Sequence, residues 1–269
     1  MSLVAFEGIE LDVERSGSGP PLLLIMGMSG TALHWGEPFL AELRRDFELI
    51  AFDHRGVGAS TRLESNGALT IAQMAKDASG LLSALGIERA DVLGISMGGM
   101  IAQELALAHP EQVRTLGLGC TYCGGPGSAL SSPAVVQRLG EAMMSGDRER
   151  ALRVGFELNV SPGFAAGSGA FEQFREIAMR RAVAVDVIMA QLQACSAHDT
   201  QSRLRGLEVP TTVVHGTLDE MLPVENGRLI ASLIPGARLE VLEGIGHLYF
   251  WEQPERSAEI VREQVAVPA

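Results

Sequence analysis

One pentapeptide, Gly94-Ile95-Ser96-Met97-Gly98, constrains this chain more than any other stretch. An apolar run, Asp91-Val92-Leu93-Gly94-Ile95, leads into it, and a helical pattern from Met100 to Leu107 leaves it. Strand, sharp turn and helix is the setting in which G-x-S-x-G carries nucleophilic chemistry. The turn holds its serine in a strained backbone conformation with the hydroxyl turned outward. Glycines two before and two after remove side chains that would clash. The helix behind the serine offers free N–H groups and a positive dipole end to a developing oxyanion. A bare G-x-S-x-G means little, since glycine and serine are common, but this is the only one in the chain and its flanks fit. The bland alternative is a strand-to-helix turn with an idle serine.

Such a turn needs a sheet beneath it. Leu3 to Arg15 reads as two short strands turning at Glu7-Gly8, followed by a loop from Ser16 to Pro21. Leu22–Met26, Phe47–Phe52, Val113–Leu118, Val209–Val214 and Arg238–Leu242 are further apolar runs of strand length, as expected for strands buried on both faces of a parallel sheet. Helical patterns separate them: 38–45, a long one ending at Gly86, one to Ala108, 224–233 and 254–265. The long one opens on a capping box, Thr70 with Gln73, and carries an apolar stripe of Ile71, Met74, Ala75, Ala78, Leu81, Leu82 and Leu85. After Cys120 the alternation stops. A linker, Gly124 to Ser128, opens a stretch with only helical patterns near 133–145, 147–158, 170–181 and 183–197, with a loop from Ser161 to Gly169. The expected architecture is α/β: a doubly wound, mostly parallel sheet made from 1–120 and 206–269, with a helical cap inserted at 121–205. Ligands of such sheets bind beyond the C-terminal ends of the strands. Ser96, the Gly27–Gly30 loop and the loops after Val214 and Leu242 all fall there, so they should converge.

Composition removes several classes. Apolar residues make up 46% and charged residues 20% of 269, which describes an ordinary globule rather than a disordered chain. A net charge of −12 argues against nucleic acid or an anionic membrane surface as partner. No apolar stretch approaches a membrane span, and Met1–Glu7 lacks a basic region and a cleavage site, so a cytoplasmic protein is expected. Cys120, Cys123 and Cys195 are too few for a disulfide framework; Cys120-Thr121-Tyr122-Cys123 has CxxC spacing without a second pair, and buried thiols are expected. Phosphate-loop, dinucleotide and zinc-protease signatures are missing, so neither cofactor nor metal is expected. Nothing fixes whether copies associate into a homo-oligomer.

A serine hydroxyl needs a base. Of six histidines, His247 alone combines a position after the last strand with a glycine-rich approach, Gly244-Ile245-Gly246; its bland alternative is a structural histidine beside Tyr249-Phe250-Trp251. His34 could line a pocket, His54 sits in the Asp53-His54-Arg55 turn, His109 has a surface position, His198 ends the insertion, and His215 ends a strand and is expected to pack there. The imidazole needs an acceptor that fixes its tautomer. Asp219, after the penultimate strand, suits this; its neighbour Glu220 is expected in solvent, and Asp53 is the weaker rival, better suited to bracing its own glycine turn. Two backbone donors should hold the oxyanion: the N–H of Met97, next to the serine, and the N–H of Met28, in the loop after the third strand.

The order Ser96, Asp219, His247 is similar to that of the α/β-hydrolase family. Asp53-His54-Arg55-Gly56-Val57-Gly58-Ala59-Ser60, Gly94 to Gly99, Gly216-Thr217-Leu218-Asp219 with Pro223, and Gly246-His247 with Glu252-Gln253-Pro254 also resemble that family. The resemblance covers nearly all of the chain outside 121–205, which corresponds to the family's variable cap. It looks most like small bacterial esterases, enol-lactonases, cofactor-free haloperoxidase-like enzymes and polyketide-tailoring methylesterases. One departure stands out: the family often has His-Gly after the third strand, and here it is Met26-Gly27. Dehalogenases and epoxide hydrolases of this fold are expected to use aspartate at position 96, so serine there implies acyl chemistry. The resemblance therefore implies hydrolysis of a small-molecule carboxylic ester. A lactonase, a perhydrolase or a C–C bond hydrolase on the same residues is the alternative, and a non-catalytic ligand receptor is a third reading. The cap should choose the substrate, with Met143, Met144, Phe156, Phe164, Met179, Met189 and Leu192 offering apolar surface or simply cap core. Trp35, Tyr249 and Phe250 either wall the pocket or pack beneath it.

Overall fold

The computed structural model of the chain describes residues 2–63, 69–167 and 169–266. Met1 and 267–269, at the two ends of the expected core, and Ser168, in the expected 161–169 loop, lie outside the described residues. Eight strands form one sheet: β1 Ser2–Phe6, β2 Ile9–Gly17, β3 Pro21–Ile25, β4 Glu48–Phe52, β5 Ala90–Ile95, β6 Val113–Gly119, β7 Thr211–Gly216 and β8 Arg238–Leu242. Their order is β1-β2-β4-β3-β5-β6-β7-β8. β1 and β2 run antiparallel to their neighbours, and every pairing from β4 to β8 is parallel. The expected α/β, mostly parallel sheet is therefore present.

The hairpin between β1 and β2 turns on Glu7 and Gly8, both at positive φ, as a two-residue hairpin turn requires. β2 is longer than expected and ends at Gly17, because its last residues pair with β4 down to Gly17 opposite Glu48. The central strands are apolar throughout; Leu22 to Ile25 and Val92 are fully buried, as covering on both faces demands.

Helices lie on both faces. α1 is Glu37–Leu43, α2 Ile71–Ala84 and α3 Met97–Ala108. Thr70 Oγ1 accepts the Gln73 N–H, but the Gln73 side chain donates to Asp77 instead of returning to Thr70, so only half of the expected capping box forms. Between β6 and β7 the described residues carry α4 Pro133–Met144, α5 Arg148–Asn159, the one-turn α6 Pro162–Ala165, α7 Ala170–Arg180 and α8 Val185–Ser196. α9 Glu225–Leu233, α10 Tyr249–Glu252 and α11 Pro254–Val265 complete the chain. Two apolar clusters sit on opposite faces of the sheet, one under α2, α3 and α9, the other under α1, α10 and α11. The inserted helices have a small core of their own, Phe156, Val160 and Phe171. Among the described residues no helix is long and apolar enough to cross a membrane.

Candidate active site

β5 leads directly into α3, and Ser96 is the hinge residue, at φ 58 and ψ −123. A non-glycine residue held there stores about 1–3 kcal/mol of strain, and the packing shows what holds it. A Cβ on Gly94 would lie 2.2 Å from the Gly98 carbonyl oxygen, and one on Gly98 would lie 1.9 Å from that of Ile25. Only glycine at both positions lets α3 begin so close to the ends of β3 and β5. Ser96 N–H donates to Gly119 O at 2.9 Å, and Ser96 O accepts the Thr121 hydroxyl at 2.7 Å. The backbone of Ser96 is thus pinned to β6, while its side chain is half-buried and, among the described residues, its hydroxyl has no hydrogen-bond partner.

β7 and β8 lie two and three strands away in the same parallel array, so the residues after them emerge at the same edge. His247 Nδ1 donates to Asp219 Oδ2 at 2.7 Å, and both residues are buried. Asp219 Oδ1 accepts the N–H groups of Met221 and Leu222 at 2.9 and 2.8 Å. His215 Nε2 donates to the Leu222 carbonyl and lies 3.2 Å from Asp219 Oδ2. Burial alone would push the Asp219 carboxyl up; the attraction of His247 and hydrogen bonds from His215 and His247 more than offset this and hold it well below the usual carboxylate range. The acid is therefore a fixed anion facing an oriented imidazole. Glu220 is exposed, as expected.

The Met97 N–H, at the first turn of α3, and the Met28 N–H, in the loop after β3, have no partner among the described residues. Gly27 packs against the serine: a Cβ there would touch Ser96 Cβ at 3.0 Å. The Met26-Gly27 pair thus keeps the loop against Ser96, and Met26 gives its carbonyl to His54 Nε2 at 2.8 Å.

Asp53 does not reach His247. Its Oδ1 accepts the Ala32 N–H at 2.7 Å and its Oδ2 accepts Arg181 at 2.7 Å. It braces the 27–32 loop and the end of α7, a wider role than bracing its own turn. Buried His34 and His198 are both lowered by burial to about 4. Trp35, Tyr249 and Phe250 are buried and pack as a cluster, with Trp35 and Phe250 4.9 Å apart. Of the apolar cap candidates, Phe156 is core, whereas Met143, Met144, Met179, Met189 and Leu192 are exposed.

The three cysteines are free and buried. Cys120, at φ 40, sits with His215 and Asp219, their ligating atoms within 4.8 Å of one another. The Asp219 oxygens already hold two amides and His247, and His215 Nε2 donates to the Leu222 carbonyl, so Cys120 and His215 pack behind a carboxylate whose oxygens are occupied. Burial raises the Cys120 thiol well above its ordinary value, which keeps it neutral.

The inserted helices grip this edge at three points that the motifs did not signal. Leu248 N–H donates to Asn159 O, and Glu252 accepts both Gly246 N–H and Ser161 N–H, so the residues flanking His247 are tied to the end of α5. Arg181 joins buried Asp12 and Asp53. Gln191 of α8 accepts the Ser29 N–H at 2.9 Å. A polar residue on an apolar helix face, Val187, Gln191, Ala194 and Cys195, was the one available sign of the last.

Residues 20–254 match the family model described as alpha/beta hydrolase fold. The chain is 30% identical to a protein of Azorhizobium caulinodans that bears the name carbamate hydrolase, over 91% of each chain. It is 30% identical to a 2-hydroxymuconate semialdehyde hydrolase of Pseudomonas putida, over 96% of this chain and 92% of that one. A crystal structure of an esterase from a Rhodococcus species superposes with a TM-score of 0.84 at 27% identity, covering 99% of this chain and 98% of that one.

Proposed function

The chain belongs to the alpha/beta hydrolase family and is a hydrolytic enzyme, and from that premise we propose that it cleaves a small or apolar carboxylic ester through an acyl-enzyme on Ser96. The observation that carries this reading is the Asp219–His247 pair, held at 2.7 Å on the same sheet edge as the strained Ser96 turn. His247 Nε2 takes the Ser96 proton as the oxygen attacks the carbonyl. Asp219 keeps the proton on Nδ1 and stabilises the imidazolium. The negative charge that develops on the carbonyl oxygen meets the unpaired N–H groups of Met97 and Met28, aided by the N-terminus of α3. His247 returns the proton to the leaving alcohol. Water, activated by the same imidazole, then releases the acid and restores Ser96. Residues 121–205 act as the cap that covers this edge and selects the acyl group.

Names among the relatives favour a second reading of the bond, since they include a carbamate and a semialdehyde substrate. Lactones, a peroxide acceptor and C–C bonds would use the same residues. Turnover of p-nitrophenyl acetate, butyrate and octanoate is to be compared with an aryl carbamate, a lactone, a vinylogous 1,5-diketone and peroxide-dependent bromination. The highest kcat/KM belongs to one of the aryl esters. A carbamate, lactone or diketone turned over at least about tenfold better, a difference of about 1.4 kcal/mol in transition-state binding, would overturn the ester assignment and keep the residues.

A further inference from the structure

The Gly27-Met28-Ser29-Gly30 loop is a tight turn closed by the Gly30 N–H on the Gly27 carbonyl at 3.3 Å. Its third residue, Ser29, stands at φ 59, while Met28 is not among the positive-φ residues. That combination is a type II turn, which ordinarily places glycine or asparagine where this chain has serine. The left-handed conformation is strained for a serine. The unstrained alternative, a type I turn, differs by rotation of the Met28–Ser29 peptide and points the Ser29 N–H the opposite way.

Gln191 is what meets that N–H. Its Oε1 accepts from Ser29 at 2.9 Å, and the residue is fully buried. The orientation of the amide is fixed by chemistry, because a backbone N–H only donates and so must face the oxygen. Nε2 is then left buried with no hydrogen-bond partner. An unpaired buried donor is destabilising, and the residues beside it on this face of α8 are the apolar Val187, Ala194 and Cys195. Leucine or methionine would suit that face without the penalty. What the amide supplies in exchange is an acceptor for one peptide.

We infer that Gln191 is a positioning residue for the oxyanion hole: through the Ser29 N–H it ties the Gly27–Gly30 turn to α8 and so fixes where the Met28 N–H sits. This rests on the hydrolase reading of Ser96. The Gly27 carbonyl is engaged inside the turn by Gly30, so the N–H of the same trans peptide, that of Met28, points out of it. Losing the Ser29 bond cuts the tie of this turn to α8 and leaves it closed by the 3.3 Å Gly30–Gly27 bond alone, so the whole turn shifts and carries the Met28 N–H with it. Because Gln191 lies on α8, between β6 and β7, the donor is aimed only while the inserted helices rest on the sheet. The cap thereby governs the transition state as well as access.

The test combines amide hydrogen exchange with steady-state kinetics on the full chain. Gln191→Leu removes the acceptor, and Gln191→Glu keeps an oxygen in its place. In the leucine variant the Ser29 amide exchanges faster, and kcat for p-nitrophenyl butyrate falls by about 10–100-fold, with KM within about threefold, as expected for a donor misplaced by about 1 Å. The glutamate variant regains slow Ser29 exchange and most of kcat. Unchanged Ser29 exchange in the leucine variant, a loss confined to KM, or a glutamate variant no better than leucine would overturn the inference. Ester turnover that survives Ser96→Ala would count against Ser96 as the nucleophile instead, and Ser29 exchange would still decide the clamp.

Discussion

Asp219 Oδ2 receives the His247 Nδ1 proton at 2.7 Å while Asp219 Oδ1 is held by two backbone amides. The carboxylate cannot turn away from the ring, and the ring cannot change tautomer without losing its partner. Asp219→Asn tests this coupling. The amide oxygen keeps Met221 and Leu222, and the NH2 faces Nδ1, which forces the proton onto Nε2 and leaves His247 unable to accept from Ser96. The expected loss in kcat is about 10⁴-fold with the thermal midpoint nearly unchanged. Esterase kinetics and a melting curve on the same sample check it, and a loss below about tenfold would contradict the role.

Gly98 tests the geometry of the serine turn. An added Cβ would stand 1.9 Å from the Ile25 carbonyl oxygen, a backbone atom that cannot swing aside. Gly98→Ala must push α3 away from β3 and should reduce kcat by about 100-fold or more and lower stability. Gly155→Ala is the control: it lies inside α5 with nothing within 4 Å of the new Cβ, and should raise stability by about 1 kcal/mol. Urea melts and ester kinetics separate the two.

Arg181 closes a buried pair of acids. Its guanidinium lies 2.7 Å from both Asp12 and Asp53, whose side chains are 5% and 0% exposed. Arg181→Met strands both carboxylates and should cost about 3 kcal/mol. Adding Asp53→Asn should recover part of it, because fewer buried charges remain. A double-mutant cycle of urea midpoints measures the coupling; additive losses would mean that the contact carries none.

Acid should weaken the fold well before carboxylates titrate. His34 and His198 fall from 6.5 to about 4 through burial, and burial lowers His54 too. The unfolded chain therefore binds these protons first as the pH drops. The stability they represent is complete above pH 6.5 and is lost as pH falls toward 4, at up to about 1.4 kcal/mol per pH unit for each histidine. Asp219, held low, adds a loss of the same sign only below its unfolded value of 3.8. Urea midpoints at pH 7 and 5 should differ clearly, and equal midpoints would refute the assignment.

Much of the fold was legible because buried parallel strands write themselves as apolar runs, and Leu22 to Ile25 is both a run and a strand. Short elements were not: the 3₁₀ turn Ala32–Trp35 and α10 Tyr249–Glu252 are four residues each, too short to show a helical period. β2 outlasts its pattern because β4 pairs with it, a tertiary cause. The positions of Ser96, Asp219 and His247 at strand ends could be read from glycine-rich loops after apolar runs. The grip of Gln191, Arg181, Asn159 and Ser161 could not: Asn159 and Ser161 act through backbone groups that every residue carries, and the side chains of Gln191 and Arg181 give no sign of which partner they will meet.

The central claim is that Ser96 is an activated nucleophile. A fluorophosphonate reacts with such a serine and not with an ordinary hydroxyl, because reaction needs the base and the oxyanion donors together. Intact mass and peptide mapping of the folded protein should show one adduct, on Ser96. It should be absent in Ser96→Ala, slowed by about 10³-fold or more in His247→Ala, and lost on unfolding. Folded protein that stays unlabelled, or an adduct on another residue, would contradict the account.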